Sequence, residues 1–93
     1  MAIKVHAAHI LVKTEQEALG ILFDVKHGKD FGETAKAKSL CPSAKAGGDL
    51  GWFLRGQMVK EFEKTAFEMK PGELSKPIKT QFGWHVIKVI EAK

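Results

Sequence analysis

One cysteine in 93 residues excludes an intramolecular disulfide framework and every zinc pattern built on paired cysteines. Long apolar runs are also missing. The longest purely aliphatic one is Ile10-Leu11-Val12, far short of the ~20 residues of a membrane-crossing helix. The first apolar stretch is broken by His6 and His9 and followed by no small-residue cleavage site, so no secretory signal is read and a cytoplasmic location is expected. Arginine occurs once, as Arg55, among 15 basic residues. Arginine is the usual bidentate reader of bases, so sequence-specific nucleic-acid recognition is not expected. No repeat, low-complexity tract or linker divides the chain, and a single domain over residues 1–93 is expected.

What is present suits a small globular fold. Hydrophobic residues make up 44% and charged residues 28%, with six phenylalanines available for one core. The net charge of +4 gives weak, non-specific attraction to acidic surfaces.

From Val5 to Val12 both alternating sets are largely apolar: Val5, Ala7, His9 and Leu11 on one face, His6, Ala8, Ile10 and Val12 on the other. That pattern predicts a central strand covered on both sides. Thr14 and Glu17 have capping-box spacing. A helix follows, with Ala18, Leu22 and Val25 inward, Leu19 and Phe23 beside them, and Gly28 as its stop. Asp30 and Glu33 repeat the cap before a shorter helix to about Ser39, with Phe31 and Ala35 inward. The glycines and proline between Cys41 and Gly56 predict loop and tight turn around a short strand at Leu50–Leu54, with Asp49 bonding its own backbone in a turn. Lys60 to Met69 is read as a helix with Phe62, Ala66 and Met69 on one stripe, ended by Pro71-Gly72. Leu74 to Thr80 reads as an edge strand because Pro77 has no ladder donor, and Trp84 to Ile90 as a second central strand. The order β-α-α-loop-β-α-β-β is that of an α+β domain on a small antiparallel sheet. Pairing the first and last strands with position numbers summing to 94 sets His9 opposite His85, and Val5 opposite Val89.

Four segments carry a further signal: His9-Ile10-Leu11-Val12-Lys13, Cys41 through Gly51, Gly56-Gln57-Met58-Val59, and Gly83-Trp84-His85-Val86-Ile87-Lys88. In order and spacing they resemble the motifs of parvulin-type peptidyl-prolyl cis/trans isomerases, most of all the minimal single-domain ones. The resemblance runs from about Val5 to Ile90. It implies a βα3βαβ2 fold, a four-stranded antiparallel sheet with about four helices. It also implies metal-free, cofactor-free rotation about X-Pro bonds in polypeptide substrates, assistance to protein folding, and a monomer. By the same resemblance His9 and His85 are the paired histidines of the site floor, Cys41 the thiol beside them, and Thr80 the hydroxyl bonded to the pair. Leu50, Met58 and Phe62 form the proline pocket, with Gln57 and Phe53 at its rim. Phe82 stands where many relatives carry serine, which puts a hydrophobic wall in place of a polar group. Phospho-specific relatives place an arginine-bearing insertion between the first strand and first helix. Here Lys13 runs directly into Thr14-Glu15-Gln16-Glu17, so phosphorylation-independent recognition is expected.

The residue types fit that chemistry on physical grounds. Rotation about an X-Pro amide meets a barrier of ~20 kcal/mol set by resonance, with no covalent bond to break. An apolar pocket and a few hydrogen-bonding side chains that favour the twisted amide are sufficient. A hydrolase using Cys41 and a histidine base lacks an oxyanion motif and an acidic orienter. A metal site from His9, His85 and Cys41 matches no zinc spacing. Two non-enzymatic readings remain: a module of the same fold that holds Pro-containing segments, and a basic surface-binding protein using Lys36, Lys38 and Lys45.

Overall fold

A computed structural model describes residues 3–93. Chain order is β1 (Lys4–Val12), α1 (Glu15–Lys26), α2 (Phe31–Lys38), a 3-10 turn (Pro42–Ala46), β2 (Asp49–Leu54), α3 (Lys60–Glu68), β3 (Ile78–Thr80) and β4 (Gly83–Ala92). The strands form one antiparallel sheet in the order β2-β1-β4-β3, with β1 and β4 central as their two-sided apolar patterns require. Three α-helices and the 3-10 turn account for the helical segments expected.

The two alternating sets of β1 go to two separate cores. Ala8, Ile10 and Val12 meet Val86 and the inward residues Ala18, Ile21, Phe31 and Ala35 of α1 and α2. Val5 and Ala7 meet Ile87, Val89, Phe53 and the α3 residues Phe62 and Ala66. In both first caps the cap side chain accepts the third helical amide as read, while no bond from the glutamate back to the cap N–H is seen among the described residues. Thr14 Oγ1 accepts from the Glu17 N–H at 3.2 Å and Asp30 Oδ2 from the Glu33 N–H at 2.8 Å. Asp49 Oδ1 accepts from the Gly51 N–H at 2.7 Å, the self-bonded turn anticipated for it.

Three expectations need correction. The β1–β4 register sums to 96, not 94, so His9 lies opposite Ile87 and Leu11 opposite His85, with a bulge between His6 and Ala7. Beyond the bulge Val5 faces Ala92 rather than Val89. A two-residue slip keeps every side chain on its face, and the histidines become diagonal neighbours. Second, the inward stripe of α1 includes Ile21, while Leu19 and Phe23 are exposed at 49% and 62%. Ala18, Ile21, Leu22 and Val25 already complete an i, i+3, i+4, i+7 stripe, which turns Leu19 and Phe23 off the core. Third, the edge strand is only Ile78–Thr80, with Leu74 making an isolated bridge to Lys88. Pro77 supplies no donor, and Ser75 bonds Ile87 irregularly, through its N–H and its side-chain oxygen, before the regular ladder begins.

Candidate active site

His9 comes from mid-β1 and His85 from near the start of β4, both on the α3 face of the sheet. Both are almost fully buried, at 5% and 4% exposure. Their Nδ1 atoms meet at 2.8 Å and the rings stack with centroids 5.0 Å apart. Phe62 presents its ring nearly perpendicular to both imidazoles, at 5.4 and 5.5 Å. Behind the pair, Thr80 Oγ1 lies 2.7 Å from His85 Nε2 and accepts from the Phe82 N–H at 3.2 Å.

Two facing Nδ1 atoms can share one proton only if one ring donates and the other accepts, so the relay has a direction. If Thr80 donates to His85 Nε2, His85 Nδ1–H donates to His9 and His9 Nε2 carries a proton. If the relay runs the other way, His9 Nε2 is a lone pair. Either way His9 Nε2 is buried and has no hydrogen-bond partner among the described residues. Burial pushes both imidazoles below the usual histidine range, and the neighbouring His85 adds to the effect on His9, which falls from 6.5 to about 4. The pair is neutral at physiological pH.

Above this floor opens a groove of about 590 Å³, almost entirely apolar. Leu50 of β2 and Gln57, Met58 and Val59 of the loop before α3 line it, as do Leu40, Cys41 and Pro42 after α2, and Leu11 and Phe82. The αL turn at Gly48 makes this possible. Gly48 has φ +85°, its carbonyl accepts from the His9 N–H at 2.9 Å, and a Cβ there would sit 2.4 Å from the His9 oxygen. Only glycine lets the β2 turn press this closely on β1.

Of the residues singled out in the sequence, His9, Cys41, Leu50, Gln57, Met58, Phe62, Phe82 and His85 line one groove, and Thr80 stands behind His85. Phe53 does not join them. It pairs with Val5, four residues and roughly 13 Å along the strand from His9, and is buried between Phe62 and Phe67. Gln57 spends its Oε1 on the Leu54 N–H at 2.7 Å, leaving the Nε2 donors free. Leu11, Leu40, Pro42 and Val59 were not singled out. Leu11 was the most accessible to sequence reasoning, since it shares the alternating face of His9. Among the described residues no three His, Cys, Asp or Glu side chains gather as a ligand group.

Comparison with known proteins agrees with this arrangement. Residues 4–91 match the family model described as rotamase, PPIC-type PPIase domain. The chain is 51% identical over 89 residues to foldase protein PrsA of Geobacillus kaustophilus, covering 95% of this chain and 32% of that protein. It is 47% identical over 94 residues to the parvulin-like PPIase of Rickettsia felis, covering 97% of this chain and 33% of that protein. The chain thus spans about a third of the length of the curated relatives it matches. Among solved structures, the Bacillus anthracis PrsA superposes with a TM-score of 0.97 at 40% identity, covering 99% of this chain and 43% of that one. NmPin, the parvulin of Nitrosopumilus maritimus, superposes with a TM-score of 0.88 at 46% identity, covering 98% of this chain and 99% of that one. With a groove floored by paired histidines and a family model matched over nearly its whole length, the chain belongs to the PPIC-type, or parvulin, family of peptidyl-prolyl cis/trans isomerases.

Proposed function

We propose that the chain accelerates cis/trans rotation about X-Pro bonds in polypeptide substrates and so assists protein folding, without covalent or metal chemistry. The observation that carries this reading is the apolar groove closed at its base by two buried, neutral, mutually bonded imidazoles. Rotation weakens amide resonance and makes the carbonyl less dipolar, so the twisted amide loses less than either planar form on leaving water. Leu50, Met58 and Phe62 are suited to clasp the proline ring. The Gln57 Nε2 donors are suited to meet carbonyl groups of the peptide as they turn, as is His9 Nε2 when the relay leaves it protonated. The reading takes the chain as a monomer, for which sedimentation should return a mass near 10.3 kDa.

Cys41 borders the groove as a half-buried thiol. Amide rotation has no leaving group, so the proposal gives it no nucleophilic part. Cys41→Ser is expected to keep activity within about fivefold of the parent, on the order of 1 kcal/mol in the transition state. Complete loss in a folded Cys41→Ser variant would contradict a mechanism led by the pocket.

The site also bears on what precedes the proline. Only Lys13 and Thr14 separate β1 from α1, and Thr14 Oγ1 is engaged with Glu17 as both acceptor and donor. A phosphate there would meet Glu15 and Glu17 and no arginine fork. On the rim, Phe82 is 62% and Leu40 55% exposed, apolar surfaces that suit an uncharged residue before proline. The lysine-surface reading is weaker, because Lys36 and Lys45 share a cleft with Asp30, Glu33 and Asp49.

The deciding experiment is NMR exchange on Ala-Leu-Pro-Phe and on matched Glu-Pro and phospho-Ser-Pro peptides at physiological salt. Catalysed exchange, with Leu-Pro at least equal to the phosphopeptide in kcat/KM, is the expected result. Binding without accelerated exchange would favour a holding module instead. A phosphopeptide preferred by tenfold, about 1.4 kcal/mol, would overturn phosphorylation independence.

A further inference from the structure

Met58 and Val59 line the groove from a loop with no regular structure of its own, so something else must fix their position. Met58 and Val59 rest on the core below, and the Val59 carbonyl accepts the Glu63 N–H at 2.9 Å as α3 begins; two further ties hold the turn at residues 55–57. Leu54 and Gln57 bond each other, the Leu54 N–H to Gln57 Oε1 and the Gln57 N–H to the Leu54 carbonyl. The second tie comes from α3. Glu63 Oε1 accepts the Gly56 N–H, while Glu63 Oε2 lies 3.9 Å from the Arg55 guanidinium, which covers the Phe67 ring at 4.3 Å. Gly56 has φ +92°, a tight reversal. Glu63 immediately follows Phe62, the aromatic residue against both histidines, and its side chain is 19% exposed.

The two contacts of Glu63 differ in weight. Arg55 is half exposed and its contact is long, so this ion pair contributes little. The bond accepted from the Gly56 N–H acts on the loop backbone itself and is the more direct restraint. We propose that Glu63 is a positioning residue for the isomerase site: by holding the Gly56 amide it sets the Arg55–Val59 loop, and with it Met58 and Gln57, against the floor built by Phe62. This rests on the isomerase reading above, since a rigid wall matters only to a groove that must grip a proline while the bond beside it turns. What the loop requires of Glu63 is reach and a carbonyl-type acceptor, not charge.

Three substitutions separate these requirements. Glu63→Gln keeps both reach and acceptor. Glu63→Asp keeps the charge in the first turn of α3, where it suits the helix dipole, but is one methylene too short. Glu63→Ala removes everything. The expected result is kcat/KM within about threefold of the parent for Glu63→Gln and about tenfold lower for Glu63→Asp and Glu63→Ala, with the loss chiefly in KM. Gly56 and Gln57 amide exchange should quicken in the latter two only, at a temperature where circular dichroism shows all variants folded. Should Glu63→Ala fail to fold, Glu63→Asp carries the same comparison. A folded Glu63→Asp with parental kcat/KM and parental Gly56 protection would overturn the proposal, as would a tenfold loss in Glu63→Gln. If the parent itself fails to accelerate exchange, the isomerase reading falls first. The affinity of the three variants for Ala-Leu-Pro-Phe and the Gly56 protection then judge the tie by themselves.

Discussion

Met58→Ala is expected to lower kcat/KM on an Ala-Leu-Pro-Phe peptide by at least about tenfold while leaving the protein folded, because it removes one wall of the proline pocket and little of the core. Met58 is half buried at the groove and packs only on the margin of the core formed by Val5, Ala7, Phe53, Ala66, Ile87 and Val89. Its neighbour across the pocket behaves differently. Phe62 is 2% exposed, belongs to that core and braces both imidazoles. Phe62→Ala should therefore lose activity and also ~3–5 kcal/mol of stability, a large part of what a domain of this size possesses. Urea titration beside exchange kinetics distinguishes the two effects. Met58→Leu, which restores most of the volume, should recover activity. A Met58→Ala protein as active as the parent would remove the pocket from the mechanism.

Acid should destabilise this protein earlier than its carboxylates alone would. His9 is held neutral, with its value near 4 in the folded chain against 6.5 when unfolded, and burial also lowers His85. Between those two values the unfolded chain binds more protons than the folded one, so stability rises with pH across the window. It is fully present above about pH 6.5 and lost as pH falls toward 4, by an amount on the order of 3 kcal/mol for His9. Chemical denaturation at half-unit steps should show this slope, and His9→Leu should flatten it whatever that change does to stability at pH 7. An unchanged slope in His9→Leu would mean that another group titrates there. Activity of the folded protein should hold to lower pH than stability does and fall only as pH approaches 4, where His9 in the folded chain takes up its proton and the neutral pair is lost.

The parts of the fold that were legible in the sequence are those governed by period. Two-sided alternation marked β1 and β4 as central, and capping boxes placed the starts of α1 and α2. The facing of His9 and His85 also survived an error in register, because a slip of two positions preserves parity while a slip of one would have separated them. What could not be read was local and non-periodic. The bulge between His6 and Ala7 moves the last two pairs one position further, and no residue type announces it. Ser75 replaces a ladder bond with its hydroxyl and shortens the edge strand. Phe53 alternates correctly toward the α3 face yet lies too far along β2 to reach the groove. The tie from Glu63 to Gly56 was equally invisible, since a glutamate in the first turn of a helix is ordinary.

At the end of the sheet away from the groove, the two described ends of the chain are stitched together. The Ile3 N–H donates to the Lys93 carbonyl, and the Lys93 N–H donates to the Lys4 carbonyl. Leu11 and His85, at the groove, stand seven strand positions away, roughly 23 Å. The unit therefore meets any flanking polypeptide through a single narrow stem. A host protein could carry it as an insertion within one surface loop, and closing that loop would add little entropic cost because the unit already holds its own ends together. The groove would face outward from the stem, clear of the host. That geometry suits a unit carried as a detachable module, and the matching segment makes up about a third of the curated relatives' length.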